Sequence, residues 1–233
     1  MTTYDIAGRN VTMPVEVRDA SAATVIFEVD AAAAGALLPT PAFEVVEVSR
    51  GRAQVALGLI DYRDNDLGAY REVGIIVFVR PAGGGADGTF ITRLPVDQAF
   101  TCEAGNAIWG FPKTVEQIEV AEGDGTVTWT LTMDGELVLR LTVPRGGEDV
   151  MEPMALIAYT LLGGVPHATA FTQGGSASSI GFGDGVVLEL GSHPVAKELE
   201  SLGLPAPAVL STWTGAMKAS FGTPVPLERW LRR

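Results

Sequence analysis

The chain of 233 residues is acidic and apolar, with a formal net charge of −12 and 47% hydrophobic side chains. This composition supplies material for a substantial core. All-β barrels of this length are commonly one unit, so we predict a single domain over residues 1–233. The basic residues are spread thinly, and phosphate binding needs a basic patch, so no nucleic acid partner is expected. An anionic ligand would need a locally placed arginine.

Thiol and imidazole groups are too few for a metal site, because the chain has one cysteine, Cys102, and two histidines that lie far apart in the sequence. The N-terminus lacks the apolar segment of a signal peptide. No apolar run approaches the ~18 residues of a membrane span. We therefore expect a cytoplasmic protein with no metal and no membrane partner.

The first half of the chain predicts strands and one short helix. Asp30 is a suitable N-cap for a helix over residues 31–38. Continuous apolarity over residues 73–79 predicts a strand buried on both faces. The predicted strands cover residues 24–29, 44–48, 52–60, 73–79 and 89–94.

The second half contains a clear hairpin, because alternating apolar residues flank the turn sequence Asp134-Gly135. Residues 152–162 fit either a helix or a buried strand. A loop rich in glycine and serine is expected between strands at 168–173 and 185–190. The remaining predicted elements are helical turns at 97–103, a helix at 194–202 and a strand at 209–221.

Lys113 ends an otherwise apolar run that starts at Ala107, and it is one of only three lysines beside thirteen arginines. Unlike arginine, lysine loses its proton readily when desolvation lowers its pKa. A neutral amine attacks a ketone or aldehyde and forms a Schiff base. The alternative is a surface lysine whose charge reaches water, which is the common situation.

Glu72 immediately precedes the most apolar predicted strand. At the edge of a buried strand, a carboxylate can be desolvated, which raises its proton affinity. The alternative is an ordinary strand-end glutamate that reaches solvent.

Two motifs resemble the acetoacetate decarboxylase superfamily. Gly68-Ala69-Tyr70-Arg71-Glu72 is similar to its Gly-x-Tyr-x-Glu. Gly105 followed by Gly110-Phe111-Pro112-Lys113 is similar to its Gly-x-x-x-x-Gly-aromatic-Pro-Lys, in matching order and separation. The resemblance implies a mainly β protein with a few short helices (α+β), built on a closed, cone-like antiparallel β-barrel with an apolar interior.

The resemblance also implies roles for individual residues. Lys113 would be the Schiff-base nucleophile, Glu72 a carboxylate in the cavity, and Arg18 the partner of a substrate carboxylate. The resemblance further implies that the protein works without a cofactor and that it forms a homo-oligomer. The residues expected to shape the pocket, each equally plausible in the core, are Tyr70, Trp109 and Phe111.

Two positions depart from the pattern of family decarboxylases. They have a second lysine directly after the first, where this chain has Thr114. They also have a second glutamate on the strand before the Tyr-x-Glu motif, where Leu57 falls. Three hypotheses follow. They are a decarboxylase of a β-keto acid, a Schiff-base aldolase-dehydratase acting on a keto acid and an aldehyde, and a non-catalytic barrel that binds a small ligand.

Overall fold

The structure, a computed structural model, describes residues 2–232. In this part of the chain, most residues lie in β-strands. The strands are β1 (Thr3–Ile6), β2 (Arg9–Thr12), β3 (Val15–Asp30), β4 (Phe43–Val45), β5 (Glu47–Ser49), β6 (Arg52–Asn65), β7 (Tyr70–Pro81), β8 (Gly88–Val96), β9 (Lys113–Val115), β10 (Gln117–Glu122), β11 (Thr126–Met133), β12 (Glu136–Pro144), β13 (Asp149–Leu162), β14 (Val165–Gly181), β15 (Val187–Leu190), β16 (Leu210–Phe221) and β17 (Val225–Pro226). The α-helices are α1 (Ala31–Ala36), α2 (Ala99–Ala104), α3 (Pro194–Ser201) and α4 (Leu227–Trp230), and a π-helical turn spans Gly105–Trp109.

Seven strands close into a barrel in the order β7-β6-β3-β16-β14-β13-β8, and β8 pairs again with β7. The predicted closed barrel with a few short helices is confirmed. Neighbouring barrel strands are antiparallel except β8 and β13, which pair in parallel through Thr89 with Ala158 and Phe90 with Tyr159. Because the barrel is closed, these seven strands have no free edge, and the inner face of the sheet is enclosed.

The predicted burial of residues 73–79 is confirmed for the outward face, whereas Ile76 and Phe78 on the inward face are half-buried. Successive side chains of a strand point to opposite faces of the sheet. In β7, Val73, Ile75 and Val77 pack into a core outside the barrel. Gly74 and Ile76, between them, line the barrel interior.

A second, four-stranded sheet in the order β10-β11-β12-β15 covers the outside of the barrel together with α3. Its central hairpin matches the prediction. Asp134 and Gly135 have φ values of 51° and 78°, as a type I′ turn requires. Buried Trp129 and Leu139 from this sheet join the outer core.

The three predicted helices are present within two residues of their predicted ends, whereas α4 and the π-helical turn were not predicted. Asp30 caps α1 by accepting a hydrogen bond from the backbone N–H of Ala33 at 2.9 Å. The helix predicted at 194–202 is α3, and His193 is its N-cap. Within residues 2–232, no helix has the length and apolarity needed to cross a lipid bilayer.

Several predicted boundaries were wrong, and the ambiguous segment 152–162 is part of the strand β13. β3 starts at Val15 and not at residue 24. β14 runs through the predicted glycine- and serine-rich loop to Gly181. The small residues are needed there for close strand packing. A Cβ added to Gly175 would lie 2.4 Å from the carbonyl oxygen of Ala216 on β16.

The outer core predicts the effect of shortening a side chain in it. Leu57 is fully buried on the outward face of β6. We expect Leu57→Ala to lower the free energy of unfolding by about 2–5 kcal/mol, measured by urea denaturation. Val48→Ala, which shortens a side chain that is 50% exposed, should change it by less than ~0.5 kcal/mol. Equal effects of the two substitutions would contradict this placement of the core.

Candidate active site

The barrel encloses a cavity of about 350 Å³. Its lining comes mainly from the inward-facing residues of the barrel strands and from the segment that leads into β9. Most of the lining is apolar. Among the described residues, the charged side chains that line it are Glu72 and Lys113.

A shallower groove of about 740 Å³ lies beside α1 and β4. Among residues 2–232, its lining contains no amine, thiol or imidazole group. The groove therefore offers no amine that could form a Schiff base, and the barrel cavity is the stronger candidate for this chemistry.

Lys113 lies at the first residue of β9, with a side chain that is only 4% exposed. Its ammonium nitrogen Nζ donates hydrogen bonds to Thr101 Oγ1 at 3.1 Å and to Tyr70 Oη at 3.3 Å. The third contact is an ion pair with Glu72 Oε2 at 2.7 Å. All three N–H donors of an ammonium group therefore have acceptors.

Glu72 points into the barrel from β7, where it lies opposite Ile60 of β6. Its side chain is 9% exposed, so the alternative of a solvated strand-end glutamate does not hold. The Tyr62 hydroxyl donates to Oε1 at 3.2 Å, while Oε2 binds Lys113. Each carboxylate oxygen therefore has a partner.

Tyr62 and Tyr70 form a stacked pair beside the ion pair, with ring centroids 4.4 Å apart. Burial raises the pKa of the Tyr62 hydroxyl well above its ordinary value, and the negative charge of Glu72 raises it further. Burial likewise raises the pKa of Tyr70, although the positive charge of Lys113 opposes the change. Both hydroxyls therefore stay protonated and serve as neutral hydrogen-bonding groups.

The pKa of Lys113 differs from the sequence-based expectation. Burial acts to lower it, as the apolar run suggested. The Glu72 carboxylate and the Tyr70 oxygen act in the opposite direction and prevail, so the pKa of Lys113 lies above its ordinary value. The lysine is thus desolvated but carries its charge in the resting protein.

The segment that precedes β9 holds Lys113 in place. The Asn106 side chain binds both backbone groups of Lys113: Oδ1 accepts from the N–H at 2.9 Å, and Nδ2 donates to the carbonyl at 3.1 Å. The Lys113 side chain passes directly over Gly105. A Cβ added at Gly105 would lie 2.6 Å from Lys113 Cδ, so glycine is required for this path.

Gly110 ends the π-helical turn in the left-handed region, with a φ of 72°. A Cβ there would lie 2.4 Å from the carbonyl oxygen of Leu161 on β13. Both the backbone conformation and the close contact therefore require glycine. The two glycines of the second motif thus shape the path of the lysine and the turn that leads to it.

The three residues expected to shape the pocket all line the cavity. Tyr70 stands beside Lys113, with its ring centroid 4.7 Å from Nζ. Trp109 is anchored by a hydrogen bond from Nε1 to the carbonyl oxygen of Gly222 at 2.9 Å. Phe111 packs against Trp109, with centroids 5.8 Å apart. They are core residues on one side and cavity walls on the other.

Arg18 does not line the cavity, which corrects the role suggested by the resemblance. Its side chain is half exposed on β3, at the rim of the barrel. The guanidinium group is already held by Asp64 at 2.7 Å and by Asp66 at 2.6 Å. These two ion pairs hold the guanidinium group outside the cavity, away from the position of a substrate carboxylate.

The position expected for a second carboxylate also needs correction, because Leu57 faces the outer core. The inward-facing residues of β6 next to it are Ala56 and Gly58. Neither carries a carboxylate, so the lining keeps Glu72 as its single acid among the described residues. Thr114 is exposed and points away from the buried lysine.

Three residues at the site were missed in the sequence. Tyr62 lies two residues after Ile60, on the inward face of a strand that was predicted to end at residue 60. If the alternation of inward- and outward-facing residues had been extended by two residues beyond Ile60, it would have predicted Tyr62 on the inward face. Thr101 and Asn106 lie in the helical turns before Lys113 and carry no local signal, because their contacts depend on how the chain folds back.

Residues 2–232 contain no group of three or more histidine, cysteine, aspartate or glutamate side chains that could hold a metal ion. The buried polar atoms around Lys113 already bind one another, which leaves no set of free ligands. The arrangement is suited to proton exchange between an amine and a carboxylate in apolar surroundings.

The family model for acetoacetate decarboxylase matches residues 5–156, more than half of the chain. No protein of curated function matches the sequence at a significant level.

Solved structures share the fold at low sequence identity. Acetoacetate decarboxylase from Legionella pneumophila subsp. pneumophila str. Philadelphia 1 has a TM-score of 0.65 and 20% identity, covering 91% of this chain and 87% of that one. The enduracididine biosynthesis enzyme MppR, complexed with pyruvate, has a TM-score of 0.66 and 16% identity, covering 93% and 91%. An acetoacetate decarboxylase-like enzyme from Sphingomonas wittichii RW1 has a TM-score of 0.56 and 16% identity, covering 93% of both chains.

At these identities the structural likeness establishes the fold, while the family model extends over both motifs and the residues that carry the ion pair. The chain belongs to the acetoacetate decarboxylase family of enzymes.

Proposed function

We propose that this protein is a cofactor-free lyase that forms a Schiff base through Lys113 and decarboxylates a β-keto acid. The observation that carries the proposal is the 2.7 Å contact between Lys113 Nζ and Glu72 Oε2 inside an apolar cavity. A nucleophile and a proton acceptor within hydrogen-bonding distance are the minimal pair for this chemistry.

The first step is a proton transfer, because Lys113 rests protonated. Glu72 is the nearest acceptor, and transfer along their hydrogen bond converts a charged pair into a neutral one. Apolar surroundings favour a neutral pair, so ligand entry that excludes water assists the transfer. The neutral Nζ then has a lone pair with which to attack a carbonyl carbon.

Attack forms a carbon–nitrogen bond and a carbinolamine. The hydroxyl group of the carbinolamine leaves as water by taking the proton from Glu72, and a protonated imine and a carboxylate remain. The imine nitrogen accepts the electron pair of the bond to the substrate carboxylate as carbon dioxide departs. A proton from solvent, delivered through Glu72, reaches the enamine carbon, and water then releases the ketone from Lys113.

The apolar lining supports this bond cleavage. Lys113 is the cavity's cation, and among the described residues no arginine lines the cavity to hold a substrate carboxylate. A buried carboxylate without a partner is unfavourable, whereas carbon dioxide is neutral. Decarboxylation therefore removes a charge from surroundings that cannot solvate it.

A second candidate is aldol condensation followed by dehydration. An imine formed from an uncharged carbonyl compound would be balanced by Glu72 alone, which matches the single carboxylate of the lining. Glu72 would remove a proton from the carbon next to the imine, and the enamine would attack an aldehyde. MppR has been solved with the condensation product of pyruvate and imidazole 4-carboxaldehyde, which makes this chemistry relevant to the same fold.

Borohydride trapping tests the nucleophile. We expect borohydride added with acetoacetate or another carbonyl compound to leave a covalent adduct on Lys113, identified by peptide mass spectrometry. Lys113→Arg should abolish the adduct because arginine stays protonated. The matched variant Lys218→Arg, at an exposed lysine, should retain it.

Product analysis then separates the candidates. Release of carbon dioxide without added aldehyde supports decarboxylation, and aldehyde-dependent bond formation supports the aldol reaction. The absence of any adduct across keto acids, ketones and aldehydes, with ligand binding unchanged in Lys113→Ala, would instead support a non-catalytic binding barrel.

The ion pair predicts how the charge of Lys113 depends on pH. Because Glu72 raises the pKa of Lys113, the wild-type amine should stay charged to a higher pH than a free lysine with a pKa of ~10.4. Glu72→Gln removes the attraction and leaves the burial, so the pKa should fall below ~10.4. NMR titration of labelled lysines measures this, with Lys197 and Lys218 as internal references. An unchanged pKa of Lys113 in Glu72→Gln would contradict the assignment.

The path of the lysine side chain predicts the effect of one added methyl group. Gly105→Ala places a Cβ where Lys113 Cδ now lies, so the amine must move. We expect the trapping rate to fall on the order of 10²-fold, the typical effect of a misplaced reacting group. Gly35→Ala, whose added Cβ has an ordinary contact of 3.7 Å, should leave the rate unchanged. Equal rates for both variants would argue against this positioning.

A further inference from the structure

The cavity extends well beyond the ion pair. From the ion pair outward, the residues of β7 that line it are Glu72, Gly74, Ile76 and Phe78. The six steps from Glu72 to Phe78 cover about 20 Å along this strand, so the lining continues well past the ion pair. At the remote end, Met154 lines the cavity while 49% exposed, which places an opening to solvent there.

Two glycines form part of the wall in the middle of this path. Gly58 of β6 and Gly74 of β7 are directly opposite each other in the sheet, and both face the cavity. Neither is held to glycine by a positive φ. A Cβ built at Gly58 would lie 3.3 Å from Ile76 Cδ1, and one at Gly74 would lie 3.3 Å from Leu94 Cδ1. The glycines therefore let these two apolar side chains lie back against the wall, so that they do not project further into the cavity.

The path beyond the ion pair carries no charge among the described residues. Its cross-strand neighbours at the level of the glycines are Thr24 and Thr212, followed by Ile26 and Ala56 toward the opening. Charged groups of a ligand would find no partner there, and burying an unpaired charge is strongly unfavourable. Methylene groups, in contrast, gain free energy from burial in such a passage.

We propose that the substrate is a carbonyl compound with an extended, uncharged apolar tail, which lies over Gly58 and Gly74 and points toward Met154. This inference rests on the proposed role of Lys113 and holds for either candidate reaction. The carbonyl carbon is placed at Nζ, and the tail is attached on the side away from the reacting carbon–carbon bond. A flexible methionine at the opening suits tails of differing shape.

Linear methyl ketones test the tail, because each is a carbonyl compound that differs from the next by one methylene. We expect the half-saturating concentration for borohydride trapping at Lys113 to fall about 4-fold per methylene from 2-butanone to 2-heptanone, which corresponds to the ~0.8 kcal/mol of burying one such group. No dependence on chain length would overturn the inference.

A matched pair tests the absence of charge. The compound 6-oxoheptanoate has the chain length of 2-heptanone but ends in a carboxylate. We expect its half-saturating concentration to be at least ~10-fold higher, because the described lining offers that group no cation. Equal or tighter binding of 6-oxoheptanoate would overturn the uncharged tail.

A substitution in the passage locates the tail. The Cβ added in Gly58→Val would lie 3.3 Å from Ile76 Cδ1, so the two side chains crowd the passage. The ratio of half-saturating concentrations between 2-butanone and 2-heptanone should therefore shrink from roughly 60-fold to a few-fold. Leu57→Ile, at the neighbouring residue that faces the outer core, should keep the wild-type ratio. A full ratio in folded Gly58→Val would place the tail elsewhere, and the ketone series in the wild type stands if that variant does not fold.

The proposal of an apolar tail and the proposal of Lys113 as the nucleophile can be refuted independently of each other. Ketone binding that strengthens with chain length, measured by the rise in unfolding temperature, without any adduct would refute the Schiff base and support the tail. Adducts that form equally well at every chain length would support the Schiff base and refute the tail.

Discussion

The structure depends on one buried ion pair, between Lys113 and Glu72, in the apolar interior of a closed barrel. Two charges taken out of water are tolerated only when their geometry is good and their remaining hydrogen-bonding capacity is satisfied. Here Thr101, Tyr70 and Tyr62 supply that capacity. Removing either member of such a pair leaves an uncompensated charge, so the two residues constrain each other strongly.

The barrel and its outer sheet meet this constraint by dividing the strands between two environments. Outward-facing side chains, such as Leu57 and Val73, pack beneath the second sheet and supply hydrophobic stabilisation. The inner face is therefore free to hold a cavity, two glycines and an ion pair, which contribute little to packing. Stability and chemistry lie on opposite faces of the same strands.

Much of this arrangement could be predicted from local sequence. The alternation in β11 and β12, the continuous apolarity of β7 and the cap at Asp30 have short-range causes, and the structure agrees with each. The two motifs also located Glu72 and Lys113, which the fold brings to 2.7 Å of each other. The glycines of the second motif have steric reasons that become visible only when the side chain above Gly105 is seen.

The remaining features depend on contacts between distant segments. The burial of Lys113 suggested a low pKa, but the sequence could not give the distance to Glu72, which reverses the direction of the shift. Strand parity placed Leu57 on the outer face, where a missing carboxylate has no consequence for the cavity. Arg18 is retained at the rim by Asp64 and Asp66, which are 46 and 48 residues away in the sequence.

The most direct test of the account is a crystal structure of the protein after borohydride reduction in the presence of 2-heptanone. We expect continuous electron density from Lys113 Nζ to the former carbonyl carbon, with Glu72 beside it and the alkyl chain over Gly58. An unmodified Lys113, or an adduct on another lysine, would contradict the central claim that this buried amine is the nucleophile.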